Sequence, residues 1–129
     1  MNYSQPYIIF SAELFELSAR DNFNRSEELT QTLKDLGIKF TEVTGQYADS
    51  AENSVLLAWT VDNERVAQQL CKDFEQECYL VIDANRRGVL RKPDGSFMLE
   101  LGIATIKTTK PDQDHTKLGP DSYLIFGSV

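Results

Sequence analysis

The side chains with capacity for chemistry are carboxylates, tyrosines and amides, gathered in the stretch from Tyr47 to Glu52 and in Glu75-Gln76-Glu77. A carboxylate can hold a cationic group by charge-assisted hydrogen bonds, a tyrosine can face a cation with its ring, and an amide can read a polar edge. Each residue also has a plainer use: Glu52 and Glu75 as solvated acids, Tyr47 as half-buried packing at a strand end, Gln76 as a helix-end cap. The familiar catalytic groupings are missing. His115 is the sole histidine, and its setting, Asp112-Gln113-Asp114-His115, favours a solvated ring over a metal ligand or the base of a nucleophilic triad. No GxGxxG, Walker or GxSxG pattern occurs. Cys71 and Cys78 read as reduced, buried thiols, one on a helix face and one at a strand start.

These residues have to be positioned by a single α+β domain over residues 1–129, since the chain is of one-domain length with 41% hydrophobic and 26% charged residues. The net charge of −7 argues against nucleic acid as a partner and favours cationic ones. No apolar run approaches the ~20 residues of a membrane helix. The opening Met1-Asn2-Tyr3-Ser4-Gln5-Pro6 lacks a basic segment followed by an apolar core, so no membrane partner and a cytoplasmic location are expected.

Tyr7 to Ala12 reads as a first, buried strand, and Glu13 to Phe23 as a loop or short turn. Asn24 and Glu27 form a capping-box pattern before Leu29, Leu33 and Leu36, and Gly37 ends that helix. Lys39 to Thr44 alternates as a second strand. Gly45 to Asn53 is small and polar and reads as an ordered loop before a third strand, Ser54 to Thr60. Asp62 is placed to cap a second helix whose Val66, Leu70 and Phe74 share a face. Cys78 to Asp83 is a fourth strand, followed by Val89 to Arg91, the Pro93-Asp94-Gly95 turn and a strand from Phe97 to Ile106. Lys107 to Pro120 reads as an exposed loop before a last strand at Tyr123 to Phe126. The order strand, helix, strand, strand, helix, strand predicts a ferredoxin-like split βαβ fold, with an antiparallel sheet, two helices on one face and extra C-terminal strands.

Several segments, taken in order, carry a resemblance: Phe10-Ser11-Ala12, Asn24-Arg25, Thr41-Glu42-Val43-Thr44-Gly45-Gln46-Tyr47, Glu52-Asn53-Ser54-Val55, and Phe74-Glu75-Gln76-Glu77-Cys78-Tyr79-Leu80-Val81. Together they resemble the phage S-adenosylmethionine lyases, often called SAMases and long described as hydrolases. The likeness runs from about Tyr7 to Ile82 and is weak after Gly88; the stretch between Tyr47 and Glu52 is shorter than in that family.

The resemblance implies an enzyme that breaks S-adenosylmethionine into methylthioadenosine and homoserine lactone by attack of the substrate's own carboxylate on its γ-carbon. It implies no cofactor, S-adenosylmethionine being the substrate, and a homotrimer of ferredoxin-like subunits with active sites between neighbours. An intramolecular displacement needs only a folded, dried substrate, which agrees with the missing histidine and metal chemistry. Because the sulfonium charge disappears in the transition state, an acid beside sulfur would favour the ground state. Glu52 is therefore expected to hold the substrate ammonium, Tyr47 to face the sulfonium or orient the substrate, and Gln76 to hydrogen-bond the adenine or the substrate carboxylate, with Glu75 beside it as a lesser substrate-binding candidate. Two other functions compete: a non-enzymatic acidic interaction or anti-restriction protein acting by charge mimicry, and a sensor that binds S-adenosylmethionine without cleaving it.

Overall fold

The computed structural model describes residues 3–47 and 50–127, with Tyr47 described by its backbone alone. Its elements follow in the order β1 (Tyr7–Ser11), α1 (Ala19–Asp35), β2 (Thr41–Tyr47), β3 (Ser50–Ala58), α2 (Val61–Asp73), β4 (Tyr79–Ile82), β5 (Arg87–Arg91), β6 (Phe97–Lys107), β7 (His115–Gly119) and β8 (Ser122–Gly127).

The eight strands form one closed barrel in the order β1-β3-β2-β7-β8-β6-β5-β4, with β4 returning to β1, and every pairing is antiparallel. The expected open ferredoxin-like sheet is thereby overturned. The run β4-β1-β3-β2 is one arc of the wall, and β5, β6, β8 and β7 bridge its two ends. An open sheet would leave the backbone groups of β4 and β2 unpaired, and closure satisfies both rows.

Alternation along the strands separates two cores. Ile8, Phe10, Val55, Leu57, Tyr79 and Val81 point outward and pack against Leu29 and Leu33 of α1 and Ala67, Leu70 and Cys71 of α2. Tyr7, Ile9, Leu56, Leu80 and Ile82 point inward, where Val43, Ala104, Leu118 and Leu124 join them. Leu56 and Leu57 are 1% and 0% exposed although they face opposite ways, because β3 is covered on both sides. Each such side chain stabilises the fold by about 1.5–3 kcal/mol.

The first helix starts earlier than its Asn24 pattern suggests. Ser18 is the N-cap, its hydroxyl accepting from the Asp21 N–H at 3.1 Å, so Asn24 lies within the helix. Gly37, at φ 71°, ends it as expected, with the Ile38 N–H donating to the Leu33 carbonyl. Thr60 rather than Asp62 caps α2, accepting from the Asn63 N–H at 2.9 Å.

Two predicted loops are strands. Most of Gly45 to Asn53 belongs to a long β2–β3 ladder that pairs Gly45 with Glu52 and Tyr47 with Ser50; Ala48 and Asp49 lie outside the described residues. Part of Lys107 to Pro120 is β7, which pairs with β2 and β8 and completes the closure. His115 is 5% exposed rather than solvated, its ring edge-on to Tyr123 at 5.5 Å and its Nδ1 2.9 Å from the Gln113 carbonyl.

The corner at β5–β6 is built with glycine. A Cβ on Gly88 would lie 2.3 Å from the Phe126 ring, and register shifts fall beside Gly88 and again at Leu90/Arg91. Below this corner, Glu64 of α2 accepts from Tyr79 Oη at 2.6 Å, Trp59 Nε1 at 2.8 Å and Arg91 at 2.9 Å. Burial pushes the Glu64 carboxyl up, but these three donors outweigh it and hold it below the ordinary value. Among the described residues no helix is long and apolar enough to cross a membrane.

Candidate active site

An eight-stranded barrel has an interior that side chains can fill or that can hold one small ligand. Here the middle is filled and the ends are hollow. The larger hollow, about 430 Å³, opens at the end reached by the C-terminus of β1 and the hairpin side of β2 and β3. Its wall includes Ser11, Gly45, Glu52, Ser54, Gln76, Glu77, Cys78, Leu90, Leu101 and Thr116.

Strand alternation brings Glu52 there, because Leu56, Ser54 and Glu52 lie on one face of β3. Opposite Glu52, Gly45 adds no side chain, which keeps the end of the barrel open. Ser11 and Glu13 tie the neighbouring strand in place. The Ser11 hydroxyl donates to the Asn53 carbonyl at 2.7 Å and accepts from the Glu13 N–H at 3.0 Å, while Glu13 Oε2 accepts from the Asn53 N–H at 2.6 Å.

The other side of the opening is the passage from α2 into β4. Glu75 takes a left-handed φ of 58°, and the Gln76 N–H closes the helix by donating to the Cys71 carbonyl at 2.7 Å. That turn sends Gln76 into the wall, where its Nε2 donates to the Glu13 carbonyl at 2.9 Å and the Phe74 carbonyl at 3.2 Å. Arg25 clamps the passage from outside. It donates to the Ala12 carbonyl at 2.6 Å and to the Phe74 carbonyl, and its guanidinium lies 5.4 Å from the Phe74 ring centre.

The electrostatics are one-sided. Among its described lining residues the cavity has Glu52 and Glu77 and no Lys, Arg or His. Water reaches Glu52 through the opening while protein packs behind it; that partial burial, and then repulsion from Glu13, pushes its carboxyl up to about 7. The Cys78 thiol is raised by burial and then by Glu77 and Glu52, so it stays protonated and serves as a small apolar wall rather than a nucleophile. A site of this kind holds a positive charge: an entering cation relieves the repulsion and restores the ionised carboxyl.

Of the residues singled out from sequence, Glu52 and Gln76 meet in this cavity. Glu75 does not line it; its side chain, 73% exposed, lies 3.8 Å from Arg25. The Tyr47 side chain lies outside the described residues. Sequence reasoning missed Ser11, Glu13, Cys78 and Thr116, and passed over Glu77 as a site residue. Alternation offered one signal: Cys78, Leu80 and Ile82 share a face, which puts Cys78 inward.

A comparison with curated proteins finds no match. The sequence model of the S-adenosylmethionine lyase family, by contrast, matches residues 8–124. The match extends well past Ile82, through β5, β6 and β7 into β8, and takes in both walls of the acidic opening. With nearly its whole length matched, the chain belongs to the S-adenosylmethionine lyase family and is an enzyme of that class.

Proposed function

We propose that this lyase converts S-adenosylmethionine into 5'-methylthioadenosine and homoserine lactone in the acidic end of the barrel. One observation carries the reading: a cavity of about 430 Å³, within the range of small-ligand pockets, has Glu52 and Glu77 and no basic side chain among its described lining residues, which suits a substrate that carries an ammonium and a sulfonium against one carboxylate.

In the reaction the substrate carboxylate attacks its own γ-carbon as the carbon–sulfur bond breaks. The bonding pair leaves with sulfur, which becomes a neutral thioether, and the new carbon–oxygen bond closes the lactone. No proton moves, so neither acid nor base is required. Glu52 holds the substrate ammonium, which keeps that group from pairing with the attacking carboxylate and leaves the nucleophile free. Such a contact contributes ~1.5–3 kcal/mol. Glu77 adds a second negative charge from the other side of the opening. Gln76 has its Nε2 engaged with backbone carbonyls, so it offers Oε1 as an acceptor, suited to the adenine amino group. The family likeness assigns Tyr47 to the sulfonium or to orienting the substrate, and Glu75 acts through the turn that aims Gln76.

The reading includes a homotrimer in which a neighbouring copy covers each opening, and action in a host cytoplasm, where loss of the methyl donor blunts restriction. Both follow from the likeness to phage enzymes. Incubating the purified protein with S-adenosylmethionine should yield methylthioadenosine and homoserine lactone by chromatography. Intact substrate after prolonged incubation removes the reading, and a thermal shift without product replaces it with a sensor.

A further inference from the structure

The opposite end of the barrel carries a second cavity, about 300 Å³, that lyase chemistry leaves unused. Tyr7, which begins β1, lies at this end, and Ser11, which finishes it, lies at the other. Tyr3 and Tyr7 form one wall, edge to face with ring centres 5.9 Å apart, Ile82, Ala104 and Ile106 add apolar surface, and Ser4 and Thr105 add polar groups.

Arg86 lines the same cavity, and two features mark it. Its backbone is left-handed, at φ 65°, a conformation disfavoured for any residue with a Cβ. It is fixed there by its N–H, which donates to the Asp83 carbonyl at 3.0 Å, and by its carbonyl, which accepts from the Ala104 N–H at 2.7 Å. Glycine would serve this turn better, so an arginine kept in a strained place points to a use for the side chain. The second feature is charge. The guanidinium forms no ion pair among the described residues, in a chain of net charge −7 where acids are plentiful. It does act on the Tyr7 hydroxyl: burial and Tyr3 push that group up to about 12, and Arg86 pulls against them. Tyr3 is raised by burial as well, so both phenols remain donors at neutral pH.

We propose that this end of the barrel is a binding site for a small monocarboxylate with a compact apolar body, its carboxylate on the Arg86 guanidinium and its body between the tyrosine rings and Ile82. One guanidinium fork matches one carboxylate, whereas a phosphate dianion in this acidic protein would call for a second cation. The tyrosine rings and Ile82 favour an organic body over a small hydrated ion. The proposal is independent of the lyase mechanism, and its test reads binding rather than turnover.

The test is a titration of the isotopically labelled full chain with sodium benzoate, followed through amide resonances, beside inorganic phosphate at matched ionic strength. Benzoate should produce saturable shifts confined to the backbone near Tyr3 to Tyr7, Asp83 to Arg87 and Ala104 to Ile106. Arg86→Gly, which relaxes the left-handed residue, should keep the fold and weaken benzoate binding by about tenfold or more. Arg86→Asn, also tolerant of that conformation, serves if the glycine variant fails to fold. Unsaturable or scattered shifts, undiminished binding in the variants, or equal binding of phosphate would each overturn the assignment.

Discussion

Replacing Glu52 by glutamine removes one negative charge from the acidic opening and leaves the side chain's shape intact, so its effects on folding and on turnover should have opposite signs. In the folded chain the carboxyl titrates at about 7, above its ordinary value of 4.5. The native state therefore binds a proton more tightly than the unfolded state. The stability this confers is complete below 4.5 and is lost as pH rises through 7, where an ionised Glu52 penalises the fold. The ceiling on that penalty is about 3 kcal/mol. Because the side chain is open to solvent, screening reduces it to the order of 1–2 kcal/mol. At pH 8, Glu52→Gln should then melt about 3–6 °C above the parent, with the difference closing as pH falls toward 4.5. Turnover should move the other way. Loss of a charge-assisted contact to the substrate ammonium should lower kcat/KM by about 10- to 150-fold. Thermal melts across pH and product chromatography read the two effects separately. An unchanged or lower melting temperature at pH 8 would refute the electrostatic account of Glu52, and near-normal turnover would refute its role as the ammonium anchor.

Further outcomes follow from the same contacts. The kcat/KM of the parent should climb through about pH 7 as Glu52 ionises, and Glu13→Gln, which removes the neighbouring charge, should move that midpoint to lower pH; a profile flat from pH 6 to 8 would count against both. Arg25→Met removes the donor to the Ala12 carbonyl and one of two donors to the Phe74 carbonyl, so it should cost about 1–3 kcal/mol in chemical denaturation and reduce turnover through misplaced Gln76. Gly88→Val would drive a side chain into the Phe126 ring and should destabilise the chain by about 1–3 kcal/mol or more, read as a lower urea midpoint.

The parts of the fold that were legible in the sequence are those whose periodicity is dictated by burial. Leu29 and Leu33 on one helix, Leu70 and Phe74 on the other, and the apolar run of Tyr7 to Phe10 declare their faces because each contributes to a dry core. Closure was not legible. His115-Thr116-Lys117-Leu118-Gly119 contributes two inward side chains and otherwise resembles a loop, and its pairing partners lie far away in β2 or across a turn in β8. The polar half of the β2–β3 ladder was misread for a related reason. Gly45 and Glu52 are poor strand formers, yet they line the cavity, and a functional opening is where local propensity and native structure are expected to disagree. Glu52 and Gln76 were reached through the family likeness. Ser11, Glu13 and Thr116 come to the site only through strand pairings that no local pattern encodes.

A wall of eight strands joined into a ring has no edge strand: among the described residues each strand has a neighbour on both sides, and only short stretches, such as Phe97 to Gly102 of β6 on the side toward β8, are left without a ladder partner. Running one copy's sheet into the next, the route by which unprotected strands nucleate fibres, is therefore disfavoured along most of the wall. Association is favoured instead through side chains on outward faces, where Phe23, Phe97 and Leu99 stand exposed, so subunit number is open to change by point substitutions that leave the hydrogen-bonded ring untouched.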